Sequence, residues 1–170
     1  MYFITSTVNH WIKLFQRSDL AAIILESLSY RVAKGEIRLN AYVLMPNHLH
    51  MIVSMDESGS LRNFLRDFHK FTAREIINAL NRERNPVLTR FVVQERDRNT
   101  HFWRKTHSPK QITTWKFFLQ KIEYIHNNPL SSHWRLCERP EHYPYSSACD
   151  YLVEQRGAVP LEVIKPSTPW

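Results

Sequence analysis

His48 and His50 stand two residues apart in the run Asn47-His48-Leu49-His50-Met51-Ile52-Val53. If that run is a strand, alternate side chains share a face, so the two imidazoles lie together and Leu49, Met51 and Val53 lie opposite. Residues two apart on a strand are separated by about 6.5–7 Å at Cα. Two rings at that spacing can converge on one cation, or they can be ordinary half-exposed histidines with separate hydrogen bonds. Glycine-framed cupins are a poor fit, because the only glycines are Gly35, Gly59 and Gly157. Amidohydrolase barrels need about 250 residues, more than the 170 here.

A second group surrounds Tyr124. The segment from Gln111 to Asn128 reads as a long helix stopped by Pro129, with Trp115, Phe118, Leu119, Ile122 and Ile125 as its apolar stripe. Tyr124 then projects away from that stripe, with Lys121 and Asn128 near it on the same side. A phenol there is free to work, and the Asn128 carboxamide is a neutral oxygen donor of the kind Mg²⁺ or Mn²⁺ accepts. A surface tyrosine beside a capping asparagine is the plainer alternative. Arg62, Arg66, Lys70 and Arg74 recur every four residues of an earlier helix, either as a solvated face or as a row of phosphate contacts.

These groups need rigid elements to hold them. Tyr2 to Trp11 reads as a first strand, and Ser18-Asp19 caps a helix that ends near Gly35. Glu36 to Leu44 alternates like a half-buried strand, and His48 to Ser54 is another beyond Met45-Pro46-Asn47. Ser58-Gly59-Ser60 opens a helix to about Leu80. Asn81 to Thr100 reads as an irregular or partly helical insertion, and Phe102 to Lys105 as a short strand. The order is α+β and consistent with a ferredoxin-like antiparallel sheet flanked by helices. Residues 1–130 are expected to form the domain, with 131–170 a proline-rich tail packed on it.

The formal charge of +7 favours a polyanionic partner, nucleic acid before an anionic membrane. No apolar run approaches the roughly 20 residues of a membrane helix, and the N-terminus lacks a basic leader, so a cytoplasmic, nucleoid-associated protein is expected. Cys137 and Cys149 have neither zinc-site nor redox-pair spacing.

Tyr42-Val43-Leu44-Met45-Pro46-Asn47-His48-Leu49-His50-Met51-Ile52-Val53 resembles the HUH motif (His, hydrophobic, His) of small single-tyrosine transposases. Tyr124-Ile125-His126-Asn127-Asn128-Pro129-Leu130 resembles the tyrosine helix of their REP-associated branch, and Pro144-Tyr145-Ser146-Ser147-Ala148 is similar to that branch's C-terminal signature. The three occur in the family's order, between about Tyr2 and Tyr151. Leu130-Ser131-Ser132-His133-Trp134 departs from the commoner continuation after the proline.

The resemblance implies an HUH fold acting on single-stranded DNA at or beside a hairpin. It makes His48 and His50 metal ligands, Asn128 the third ligand and Tyr124 the nucleophile. It also implies cleavage and rejoining through a 5′-phosphotyrosine, with Mg²⁺ or Mn²⁺ as cofactor. Arg62, Arg66, Lys70, Arg74 and Lys121 are the expected DNA contacts. A homodimer exchanging tyrosine helices and a monomer both remain open, as does a non-catalytic hairpin-binding regulator.

Overall fold

A computed structural model describes residues 1–91, 102–104 and 109–164. β1 (Tyr2–Thr7) leads through two 3₁₀ turns (Asn9–Trp11 and Leu14–Gln16) into α1 (Ser18–Ala33). The expected first strand is therefore shorter, ending where His10 and Trp11 turn into the left-handed backbone region. Ser18 is the first residue of α1 and not its cap. Arg17 holds the N-cap position without a side-chain bond to the helix amides, and its guanidinium pairs with Asp19 and Glu83 at 2.6 Å each, tying that helix start to the end of the next helix. Gly35, at φ +69°, lets the chain reverse after α1.

β2 (Arg38–Met45) and β3 (His48–Ser54) then form a hairpin, and α2 runs from Leu61 to Arg82. The Ser60 side chain accepts the amide of Asn63, a cap worth about 1 kcal/mol. Pro86–Arg90 is a 3₁₀ turn ending beside buried Phe91; the rest of the expected insertion, 92–100, lies outside the described residues.

The fourth strand is not where the sequence suggested. Trp103 makes only an isolated bridge to Val8, Lys105 lies outside the described residues, and β4 is the two-residue Lys110–Gln111. Sheet order is β2-β3-β1-β4 with antiparallel neighbours throughout. That is the ferredoxin-like βαββαβ arrangement, an α+β fold. α3 begins at Trp115 rather than Gln111, because Gln111 pairs with β1 and the Thr114 side chain caps the helix.

The sheet is covered on both sides. Leu49, Met51 and Val53 pack with Ile4, α1 and α2, including Leu20, Ile24, Phe64 and Phe68. Phe3, Val43, Met45 and Ile52 pack beneath α3 with Phe118 and Ile125. Leu39 to Met45 is consequently buried at every position, not at alternate ones. Beyond α3 (Trp115–Asn127), the chain returns to the outer edge of β2. There Leu44 donates to the Tyr145 carbonyl, Ser147 donates to that of Tyr42, and Ser146 bridges Val43. α4 (Ala148–Leu152) follows.

Candidate active site

β3 is an interior strand, and its register sets the histidines. His50 faces Thr5 on β1 and Val43 on β2, while His48 faces Thr7 and Met45. The two rings share the α3 side of the sheet, 4.6 Å apart between centroids. His50 is almost wholly buried and stacks on Phe3, with centroids 5.5 Å apart.

Each imidazole is anchored through Nδ1. Asn47 Oδ1 lies 2.7 Å from His48 Nδ1, and the other end of that amide donates to the Trp11 carbonyl at 3.1 Å, which fixes which end is oxygen. Since an amide oxygen only accepts, His48 Nδ1 carries the proton and Nε2 keeps its lone pair. Thr5 Oγ1 lies 2.8 Å from His50 Nδ1, and Tyr124 Oη lies 3.3 Å from His50 Nε2. With the phenol donating to Nε2, His50 has the same tautomer. Burial holds both rings neutral: it lowers His48 to about 4 and His50 well below the usual histidine value, with neighbouring His48 and Lys121 adding to the second shift.

Both Nδ1 atoms are occupied, His48 Nε2 keeps its lone pair, and His50 Nε2 accepts from the Tyr124 phenol. With this phenol turned away, the two neutral imidazoles are a donor set suited to a divalent cation. Among the described residues no third His, Cys, Asp or Glu completes a cluster. A further protein ligand would therefore be a neutral oxygen such as that of Asn128, which is half-buried at the end of α3, one turn beyond Tyr124.

Tyr124 is 47% exposed and meets His50 edge-on, with ring centroids 5.0 Å apart. The expected partners are thus brought together within one chain. Lys121 Nζ lies 4.9 Å from the Phe3 ring centroid and 5.5 Å from that of Tyr124, and burial is the main cause of its lowered pKa. The helix stripe differs at Leu119, which is 46% exposed; His126 is buried instead.

His126 shows what the C-terminal signature does. Ser147 Oγ donates to the Tyr42 carbonyl and accepts from the Tyr42 amide, so His126 Nε2–H, at 3.0 Å, donates to it. That hydroxyl clamps the tyrosine helix to the sheet edge. The ridge of Arg62, Arg66, Lys70 and Arg74 is exposed but lies on α2, across the sheet from the histidines, and Arg66 and Arg74 pair with Asp67 and Glu75.

Sequence reading missed Thr5, Asn47, Ser147 and Trp134, whose ring lies 6.0 Å from that of His48. Asn47 adjoins the motif and was legible as a turn residue only. Among the described residues no helix is long and apolar enough to cross a membrane.

The fold is similar to that of a solved REP-associated tyrosine transposase bound to a REP hairpin, with TM-score 0.67 and 15% identity over 99% of this chain and 87% of that one. None of the curated proteins matches the chain in sequence. The family model for IS200-like transposases matches residues 2–128, through both the histidine strand and the tyrosine helix, and the chain belongs to that family.

Proposed function

We propose that this transposase nicks and rejoins single-stranded DNA through Tyr124, at a site beside a hairpin. The observation that carries the reading is the Tyr124 phenol lying 3.3 Å from Nε2 of His50 in the same chain. Hairpin DNA is suggested by the solved relative, which is bound to a REP hairpin.

In the proposed step the phenolic oxygen bonds to phosphorus and the P–O3′ bond breaks. The phenol loses its proton to solvent, and the leaving 3′ oxygen takes one up. A phenol titrates near pH 10, so developing phenolate charge needs support, and the Lys121 ammonium beside the ring supplies it. His48 and His50, through Nε2, and Asn128 are the residues that would hold Mg²⁺ or Mn²⁺. When bound, such an ion withdraws charge from the scissile phosphate. The product is a 5′-phosphotyrosine and a free 3′-hydroxyl. Because the phosphodiester energy is kept in the protein link, the same residues can reverse the step and join a new end. One chain contains the whole set, so the catalytic unit in this reading is a single copy.

The test is a denaturing gel of protein incubated with labelled hairpin DNA carrying a single-stranded flank and Mn²⁺. Wild type should give a covalent protein–DNA band, chelator should remove it, and Tyr124→Phe should reduce it to background while still binding DNA and melting as wild type does. A band that survives in Tyr124→Phe would exclude this nucleophile. DNA binding without any band from wild type would leave a hairpin-binding regulator.

A further inference from the structure

Two tryptophans near the site stand at the surface with a cation against each ring. Trp11 is 55% exposed, and the Arg104 guanidinium carbon lies 4.0 Å from its centroid. Trp134 is partly exposed, 6.0 Å from the His48 ring, and Lys13 Nζ lies 5.3 Å from its centroid. Trp134 is partly packed on the α3-side core, while Trp11 stands more open. In each pair the cation–ring contact is itself favourable and holds an indole beside a positive charge, the combination on which a base with its phosphate can stack.

The turn that presents Trp11 is also strained. His10 and Trp11 have φ of 56° and 52°, a region that bulky residues adopt only when their surroundings enforce it. Here they do: Val8 donates to the Asn47 carbonyl, Asn9 to that of Phe102, and the Asn47 amide grips the Trp11 carbonyl. That same amide accepts from His48, so the turn and the candidate metal ligand are held by one side chain. Lys13, two residues after Trp11, reaches Trp134. The strained turn thereby links both ring–cation pairs to the site.

We infer that Trp11 with Arg104 and Trp134 with Lys13 seat unpaired nucleotides next to the scissile phosphate. Each indole stacks on a base and each cation meets the adjoining backbone charge. Bases in a duplex offer their faces only to each other, so the seat takes the single-stranded flank and not the stem. The inference rests on the reading of the substrate as single-stranded DNA, and it adds which residues hold the strand and what part of the DNA they hold.

The test uses full-length protein carrying Tyr124→Phe, so that binding is measured without cleavage. Anisotropy would compare a hairpin bearing a flank of about eight nucleotides with the same hairpin cut blunt. Trp11→Ala and Trp134→Ala should each weaken binding of the flanked DNA by about 5- to 150-fold, and binding of the blunt stem by less than about twofold. Trp134→Phe, which keeps a stacking face, should recover most of the loss, and Lys13→Ala should reduce the salt dependence of binding by about one ion. Equal losses on both DNAs, no loss on either, or no recovery with Trp134→Phe would overturn the seat.

Covalent-band assays in the Tyr124-intact protein separate this outcome from failure of the nicking reading. A wild-type band together with tryptophan-independent binding rejects the seat alone. Tryptophan-dependent binding of the flank with no band rejects nicking and leaves the seat standing.

Discussion

The two faces of the sheet are built for different ends. On the side of α1 and α2, the core is broad and almost wholly apolar, closed by Leu20, Ile24, Leu28, Phe64 and Phe68. Most of its charged groups stand outside it, as an exposed ridge partly neutralised by its own acids; Arg31 is the exception, buried over Phe64 and paired with Glu36. On the side of α3 the apolar cluster is smaller, and buried polar groups sit beside it: His50, His126 and Ser147, next to a half-exposed tyrosine. Burying polar groups costs least when each finds a partner. His50, His126 and Ser147 each have one, whereas Arg31 Nε and the Tyr42 hydroxyl are buried without one among the described residues. The stable face allows the other to hold neutral imidazoles and an exposed phenol in fixed positions.

Breaking the apolar face should give the largest effect on stability. Phe68→Ala removes a fully buried ring and should cost about 3–5 kcal/mol. Thermal melting would show this as a drop of roughly 10 °C, while Mn²⁺ binding below the transition stays near wild type. Loss of metal binding with intact folding would mean that the faces are coupled more tightly than their packing suggests.

The next effect belongs to the chemical face. Asn47→Ala removes the acceptor that holds the His48 tautomer and should weaken Mn²⁺ binding by about 10- to 100-fold in calorimetry. Asn47→Asp keeps an acceptor for His48 and should recover part of that affinity. If Ala and wild type bind equally, the tautomer is set by something else.

Acid should separate the faces more gently. His48, His69 and His126 are all lowered to about 4 by burial, His69 on the apolar face and the other two on the α3 face. Their folded pKa values lie below the unfolded value, so their contribution is complete above about pH 6.5 and is lost as the pH falls towards 4. The slope within that window is about 1.4 kcal/mol per pH unit for each histidine. Hydrogen exchange should therefore show α3 opening before α1 and α2 as pH falls from 6.5 to 4.5. Uniform opening would contradict the asymmetry.

The smallest change is expected from the ridge. Replacing Arg62 and Lys70 by Ala should alter covalent-band formation by less than about twofold, because α2 lies behind the sheet. A larger loss would mean that DNA wraps to the far face.

Much of this was legible in the residues. The limits of β3 and the start of α2 follow from the Met45-Pro46-Asn47 break and a serine cap. Spacing puts the two histidines on one strand face and Tyr124 off the apolar stripe, but it leaves plainer readings open, and their roles come from the resemblance. Other features depend on pairings that no local pattern encodes. Thr5 anchors His50 only because β1 and β3 pair in one register. A two-residue strand such as Lys110–Gln111 has no period to detect, so α3 seemed to begin too early. Helical spacing also groups the ridge residues correctly but does not say which side of the sheet their helix covers. The exposure of Leu119 and burial of His126 likewise follow from how α3 is seated, with Ser147 reaching His126 from a distant part of the chain.

That serine has a consequence for how the protein comes into being on the ribosome. Tyr124 emerges well before Ser147, so a nascent chain holds the proposed nucleophile while the strap that fastens its helix is still untranslated. Products truncated ahead of Tyr143 lack the bonds to Tyr42 and Leu44 that close the open edge of β2. If Tyr124 cuts as proposed, competence to cut waits until residues 143–147 have been made, and chains broken before them carry the tyrosine with no fixed aim.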